Sequence, residues 1–226
     1  MQTSFSREYH SASFNVVVVD GSDIVCYLLA PGGLASDMAK WAEKAAAGRN
    51  CNIVVISGMD WNCDMTPWPA DGVMKEKKPF TGGAKMYLKE LAEDYIPAVE
   101  QWLNLKSAKR YLLGISLSGL FAIWAMSSTN VFEGVGSISG SLWYDGFVEW
   151  MRKTELVSTA KVYMALGVKE KNVRDKRMAT VEDASGEARD VLEGKGIVVT
   201  FEMVPGTHFS PAAPRLDRAM EVLFAV

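Results

Sequence analysis

Short runs of apolar, β-branched residues alternate along the chain with longer segments whose apolar positions recur every three or four residues. The short runs predict strands and the longer segments predict amphipathic helices. The predicted strands are Ser13–Val19, Ile24–Ala30, Asn52–Ser57, Arg110–Ile115, Gly134–Ile138, Val162–Gly167 and Val198–Val204. The predicted helices are one that ends near Ala47 and then Ala84–Leu103, Ser116–Ser127, Phe147–Thr154, Met178–Glu193 and Pro214–Phe224. This alternation predicts a single three-layer α/β/α sandwich around a mostly parallel sheet.

Two local signals add detail at the start of the chain. The turn sequence Asp20-Gly21-Ser22-Asp23 separates the first two predicted strands, so we expect these strands to pair as an antiparallel hairpin. Ser36 or Asp37 is expected to cap the N-terminus of the first helix. Because the sequence contains no internal repeat or linker, we predict one domain over residues 1–226.

Composition and charge exclude several classes of protein. A net charge of −3, with no basic run, argues against a nucleic-acid partner. The N-terminal residues lack the pattern of a signal peptide, and no apolar stretch has the length of a membrane span, so we predict a cytoplasmic protein without a membrane partner. Three cysteines without paired spacing are expected to be free thiols.

A serine stands at the junction between a predicted buried strand and a predicted helix, in Gly114-Ile115-Ser116-Leu117-Ser118-Gly119. Such a strand–turn–helix junction is the context of a nucleophile elbow, in which the serine hydroxyl is exposed at a sharp turn. Gly114 occupies the first glycine position of that motif, whereas Ser118 stands where the second glycine is expected. Ser116 is therefore the candidate nucleophile.

The chain has two histidines, and only His208 lies in a loop between a predicted strand and a predicted helix. His208 is therefore the candidate general base. An acid that orients the imidazole should lie on the loop after Val162–Gly167, where Glu170 and Asp175 compete. Glu170 is favoured because it is closer to the end of the strand. The order serine, acid, histidine is that of a Ser-acid-His hydrolase.

Backbone donors for a developing oxyanion can also be proposed. The N–H of Leu117 would be one donor, because it lies at the start of the helix that follows the serine. The second should come from the loop after Ile24–Ala30, which reads Pro31-Gly32-Gly33-Leu34. We choose Gly33, with Gly32 as the neighbouring alternative, since glycine lets the backbone approach a substrate closely.

A long segment, Gly58–Gly83, follows a central predicted strand and contains Trp61 and Trp68. Loops of this length within a domain tend to be functional. Together with Trp143, which follows another strand, these tryptophans could line a pocket for the acyl or aryl part of a substrate. The alternative is that Trp61 and Trp68 attach the loop to the core. No spacing of cysteine, histidine or acidic residues predicts a metal site.

These residues resemble the esterase D / enterochelin-esterase-like branch of the α/β-hydrolases, from about Ile24 to the C-terminus. The resemblance is carried by the elbow, Ser139-Gly140-Ser141-Leu142-Trp143, Gly167-Val168-Lys169-Glu170 and Gly206-Thr207-His208. It implies an α/β-hydrolase fold and a serine esterase that needs neither a metal nor an organic cofactor. On the matching positions, it implies Ser116 as nucleophile, Glu170 as acid and His208 as base.

The sequence thus predicts a serine hydrolase that cleaves small-molecule carboxylic esters through an acyl-enzyme on Ser116. One alternative is an acyltransferase that uses the same triad and passes the acyl group to an alcohol. Another is a non-catalytic binding protein that has kept the hydrolase fold. Neither the substrate nor the oligomeric state can be read from the sequence.

Overall fold

In the computed structural model, which describes residues 1–73 and 78–225, strands and helices alternate as the sequence predicts. The strands are β1 (Gln2–Tyr9), β2 (Ala12–Val19), β3 (Ile24–Leu29), β4 (Asn52–Ser57), β5 (Pro69–Ala70), β6 (Phe80–Thr81), β7 (Lys109–Ile115), β8 (Gly134–Ile138), β9 (Lys161–Gly167) and β10 (Val199–Val204). The α-helices are α1 (Ala35–Ala47), α2 (Trp61–Asp64), α3 (Ala84–Glu90), α4 (Ile96–Trp102), α5 (Leu117–Ala125), α6 (Phe147–Lys153), α7 (Val181–Gly194) and α8 (Ala213–Phe224). A π-helical segment, Leu91–Tyr95, joins α3 to α4, and short 3₁₀ turns precede α1 and α7.

Eight of these strands form one sheet in the order β1-β2-β4-β3-β7-β8-β9-β10. The strands from β4 to β10 along this order are parallel, whereas β1 and β2 run antiparallel to their neighbours. The predicted mostly parallel sheet with an antiparallel start is therefore confirmed. The carboxyl ends of β3, β7, β8, β9 and β10 consequently lie at the same edge of the sheet.

The predicted hairpin between the second and third strands is wrong. The turn itself is present, with Gly21 at a φ of +79°, but β4 lies between β2 and β3 and pairs with both. The side chain of Asn52, at the start of β4, accepts a hydrogen bond from the Val19 N–H (2.8 Å) and donates one to the Ile24 carbonyl (3.0 Å). A fully buried β4 needs a partner on each side, and this need overrides the local turn signal.

Two further details at the start of the chain differ from the prediction. The first nine residues contain the edge strand β1, which pairs with β2 through a tight turn at His10. The first helix begins at Ala35, without a side-chain cap, so Ser36 and Asp37 lie inside its first turn instead of preceding it.

Hydrophobic clusters lie on both faces of the sheet, and the alternation along β3 shows how they are separated. Tyr27 and Leu29 point into the larger cluster, which also contains buried residues of α3 to α7. Cys26 and Leu28 point into the other cluster, which α1 and α8 cover. The three cysteines are free, as predicted. Among the described helices, none is both long and apolar enough to cross a membrane.

The segment predicted to be a long loop has some regular structure of its own. It contains the short helix α2 and the two-stranded ribbon of β5 and β6. Asp60 caps α2 by accepting a hydrogen bond from the Cys63 N–H. Residues 74–77 of this segment lie outside the described residues.

Candidate active site

Ser116 occupies a strained turn between β7 and α5. Its backbone has a φ of +61° and a ψ of −119°, which non-glycine residues rarely adopt. Gly114 makes this turn possible, because a Cβ at that position would lie 2.1 Å from the Ser118 carbonyl oxygen. The strand–turn–helix geometry that the sequence predicts around Ser116 is therefore present.

Ser116, His208 and Glu170 form a continuous chain of hydrogen bonds. The His208 Nε2 lies 3.1 Å from the Ser116 Oγ, and the His208 Nδ1 lies 2.9 Å from a Glu170 carboxylate oxygen, Oε2. These distances suit a neutral imidazole that donates from Nδ1 to Glu170 and accepts the serine proton at Nε2. The three residues follow β7, β10 and β9, so the common edge of the parallel strands brings them together.

The two candidate acids have different hydrogen-bond partners in the structure. Glu170 contacts His208, whereas Asp175 accepts hydrogen bonds from the Arg177 and Met178 N–H groups at the start of the 3₁₀ turn before α7. The Asp175 carboxylate is therefore used to bond backbone N–H groups just after it in its own loop. Of the two candidates, Glu170 is the one hydrogen-bonded to the imidazole.

Glu170 is buried, yet its surroundings favour the charged carboxylate. Burial alone raises the pKa of this carboxyl, but hydrogen bonds from His208, the Gly167 N–H and Ser139 outweigh it and lower the pKa below its usual value. An ionised acid in this position stabilises the positive charge that the imidazole acquires when it takes a proton.

The predicted oxyanion donors belong to segments that meet at the same edge of the sheet. Leu117 is the first residue of α5, so its N–H has no acceptor four residues earlier within the helix. Gly33 lies in the 3₁₀ turn after β3, and β3 pairs with β7 so that Leu29 is opposite Gly114. The assignment of Leu117 and Gly33 to an oxyanion hole stays a prediction.

Ser118, which replaces the expected second glycine, ties these two segments together. Its buried hydroxyl accepts a hydrogen bond from the Ile115 N–H at 2.8 Å and lies 2.7 Å from the Leu29 carbonyl oxygen, to which it donates. The departure from the usual elbow sequence therefore adds a direct connection between the elbow and the end of β3.

The three tryptophans predicted to line a pocket are partly or fully buried. Trp61 begins α2 and packs against the larger core cluster. Trp68 donates a hydrogen bond from its indole N–H to the Asp145 carbonyl at 2.9 Å. The ring of Trp143 is contacted by the Arg177 guanidinium, 5.7 Å from its centroid. These contacts attach the loops to each other, and a substrate-binding role for the tryptophans stays a prediction.

Three polar residues next to the triad were missed as site residues in the sequence analysis. The Ser141 Oγ lies 3.3 Å from the Ser116 Oγ, and the Ser139 Oγ donates to Glu170 at 2.7 Å. Both serines belong to a stretch that supported the family resemblance. The third, Arg215, makes a buried ion pair with Glu170. The sequence pattern could have indicated that Arg215 is buried, because this residue lies four positions before Ala219 on the apolar face of α8.

Comparison with known proteins finds a family whose model covers most of the chain. The family described as Putative esterase matches residues 35–211. Uncharacterized protein YbbA of Bacillus subtilis (strain 168) is 33% identical over 111 residues, which cover 47% of this chain and 44% of YbbA. The matched part thus spans less than half the length of that relative.

Solved structures support the fold over almost the whole chain. An IroE-like serine hydrolase from Shewanella oneidensis has a TM-score of 0.79 at 20% identity, covering 100% of this chain and 82% of that one. The siderophore hydrolase EstA from Aspergillus nidulans has a TM-score of 0.72 at 19% identity, covering 98% of this chain and 93% of that one. The predicted α/β-hydrolase fold is confirmed.

Proposed function

This chain belongs to the Putative esterase family, and from that premise we propose that it hydrolyses carboxylic esters through an acyl-enzyme on Ser116. His208 serves as the general base and then the general acid, and Glu170 orients the imidazole. The observation that carries the proposal is the unbroken hydrogen-bonded chain from the Ser116 Oγ through His208 to Glu170, at 3.1 and 2.9 Å.

Acylation begins when the His208 Nε2 takes the proton of the Ser116 hydroxyl while the serine oxygen attacks the ester carbonyl carbon. The carbonyl oxygen becomes an oxyanion, for which the N–H groups of Leu117 and Gly33 are the proposed donors. His208 then returns the proton to the leaving alcohol as the carbon–oxygen bond breaks. In deacylation, water replaces the alcohol, and the same steps release the acid and restore the serine.

The central experiment compares Ser116→Ala with the wild-type enzyme on a short p-nitrophenyl ester. We expect the variant to lose at least about 10³-fold in kcat, because removing the nucleophile leaves only binding and oxyanion stabilisation. Ser127→Ala is a matched control, since Ser127 lies just beyond the other end of α5 and bonds only locally, to the Trp124 carbonyl and the Ser128 hydroxyl. Unchanged turnover in folded Ser116→Ala would remove this residue from the mechanism.

A fluorophosphonate probe tests the nucleophile independently of the substrate. We expect it to label the wild-type chain at one serine and to leave Ser116→Ala unlabelled. A panel of esters then addresses specificity. Because EstA of Aspergillus nidulans is named a siderophore hydrolase, the panel should contain siderophore esters beside aryl esters and acylated sugars.

A further inference from the structure

Arg215 is a buried cation in direct contact with the proposed triad acid. It lies in the first turn of α8, and its side chain is only 5% exposed. Burying a guanidinium is unfavourable unless charged and polar partners replace its water. The partners of Arg215 therefore indicate why an arginine stands at a position of α8 that otherwise faces the apolar core.

The partners of Arg215 come from three separate loops at the carboxyl edge of the sheet. One terminal nitrogen, Nη1, lies 3.1 Å from the Glu170 Oε1 and also donates to the Ser139 Oγ. The other, Nη2, donates to the Thr207 carbonyl at 3.2 Å. Thr207 immediately precedes His208. The guanidinium thus joins the loop of the acid to the loop of the base.

The two carboxylate oxygens of Glu170 have different hydrogen-bond partners. The Oε1 accepts from Arg215, from the Ser139 hydroxyl at 2.7 Å and from the Gly167 N–H at 2.7 Å. The Oε2 contacts His208 alone among the described residues. Donors on one oxygen therefore fix the rotation of the carboxylate and leave the other oxygen aimed at the imidazole.

The surrounding backbone leaves space for the guanidinium. A Cβ added at Gly167 would lie 3.0 Å from the Arg215 Nη2, and one added at Gly206 would lie 3.2 Å from the same atom. Both glycines stand where β9 and β10 end. A side chain at Gly167 would also meet the Gly206 carbonyl oxygen at 2.7 Å. The two strand ends thus approach each other and Arg215 closely.

We propose that Arg215 is a positioning residue of this esterase, which fixes the Glu170 carboxylate and the His208 loop so that the imidazole faces Ser116. The inference rests on the proposed function of the triad. Arg215 touches neither Ser116 nor the imidazole, so it acts through Glu170 and Thr207. It should therefore influence kcat, through the geometry of proton transfer, much more than KM.

The charge of Arg215 adds a second, separable effect. The titratable or charged side chains facing Glu170 among the described residues are His208, from the loop after β10, and Arg215, from α8. Lys171, on the same loop as Glu170, pairs instead with Glu182 of α7 at 3.0 Å. Removing Arg215 removes a positive charge beside the Glu170 carboxylate and so disfavours its ionised form. The acid limb of the kcat/KM profile should then move to higher pH.

The test compares Arg215→Met and Arg215→Lys with the wild type across pH, on the p-nitrophenyl ester. We expect Arg215→Met to lower kcat by about 10- to 100-fold with little change in KM, and to shift the acid limb upward. Arg215→Lys keeps the positive charge but lacks the two terminal nitrogens with which the guanidinium bonds separate loops. It should therefore leave the acid limb at the wild-type pH and lower kcat less than Arg215→Met does. The matched control is Arg110→Met, since Arg110 makes a two-point ion pair with Glu100 at the opposite end of β7.

A spectroscopic measurement separates this proposal from the proposed function. The proton shared by the His208 Nδ1 and Glu170 should give a low-field NMR resonance in wild-type enzyme and in Ser116→Ala, and lose it in Arg215→Met. If Ser116→Ala stays active, the function fails whatever Arg215 does. Folded Arg215→Met with wild-type kcat, pH limb and resonance would overturn the positioning role, as would an equal loss in Arg110→Met.

If Arg215→Met does not fold, a second variant tests the positioning role of Arg215. Ser139→Ala removes one of the three donors to the Glu170 Oε1 without burying an unpaired charge. We expect a several-fold lower kcat, an unchanged KM and an acid limb at the wild-type pH. Wild-type kcat in both Ser139→Ala and Arg215→Lys would overturn the proposal.

Discussion

Replacing Ser118 with alanine should destabilise the protein far more than the loss of one surface hydroxyl. Ser118 is fully buried, and its hydroxyl serves both the Ile115 N–H and the Leu29 carbonyl. Each buried polar group that loses its partner costs about 1–3 kcal/mol. Alanine in a helix recovers about 0.5 kcal/mol relative to serine. We therefore expect Ser118→Ala, which deprives two such groups of their partner, to lower the free energy of unfolding by about 1.5–5.5 kcal/mol.

Urea unfolding followed by circular dichroism measures this difference directly, provided that the slope of the transition is the same in both proteins. Ser127→Ala is again the matched control, because the Ser127 hydroxyl bonds to the Trp124 carbonyl at a half-buried position. We expect that control to lose less than about 1 kcal/mol. If Ser118→Ala falls within about 0.5 kcal/mol of Ser127→Ala, the buried hydroxyl does not stabilise the elbow and the reasoning is wrong.

Three further predictions follow from the geometry of the site. Glu170→Gln should lower kcat by about 10²- to 10⁴-fold, whereas Asp175→Asn should keep nearly full turnover of a p-nitrophenyl ester; the reverse ranking would transfer the acid role to Asp175. Because the pKa of Glu170 is lowered in the folded state, its contribution to stability is present above the unfolded pKa of about 4.3 and is lost as pH falls through the folded value. The stability gap between wild type and Glu170→Gln in urea should therefore shrink below about pH 4.3, and a constant gap would contradict this. Gly114→Ala should prevent normal folding, since its Cβ would lie 2.1 Å from the Ser118 carbonyl oxygen, whereas Gly186→Ala in α7 meets nothing within 4 Å and should raise the unfolding free energy. Thermal melts of the two alanine variants check this, and similar melting temperatures would refute it.

Local patterns predicted the elements of the parallel half of the sheet well. The strands Asn52–Ser57 and Gly134–Ile138 match β4 and β8 at both ends, and every other predicted strand boundary lies within one residue of the observed one. Apart from the half-buried edge strand β10, these strands are buried on both faces and bounded by turn residues, so their apolar runs are distinct from the helical periodicity around them. Local sequence is therefore sufficient to predict the boundaries of an element whose burial is uniform along its length.

The order of the strands could not be predicted in the same way. The turn at Gly21 is real, yet it reports only that the chain reverses direction. It does not indicate which strand will pair with β2. That outcome depends on β4, about thirty residues later, whose first residue Asn52 satisfies the backbone of both flanking strands. β1 escaped prediction for a different reason, because its exposed residues are mostly polar.

The contacts of the candidate site were partly predictable. Parallel strands deliver their following loops to one edge, so Ser116 and His208 could be placed together from topology alone. The choice between Glu170 and Asp175 needed coordinates, because it depends on which carboxylate bonds the imidazole and which bonds the backbone of its own loop. Arg215 was missed although helical periodicity places it on the buried face of α8. A lone arginine at an apolar position should therefore prompt a search for a buried carboxylate.

The missing glycine of the elbow has a physical explanation in the packing of α5. The closest approaches to neighbouring backbone occur at Gly114 and at Gly119, where an added Cβ would lie 3.0 Å from the Gly140 Cα. At residue 118 the side chain instead points toward the Leu29 carbonyl, where a hydroxyl fits and finds a partner. Glycine is thus needed where an added Cβ would come too close to neighbouring backbone. On the helix side of this elbow, that position is 119 instead of 118. Ser118 accordingly gives no support to the alternative of a non-catalytic binding protein that has kept the hydrolase fold.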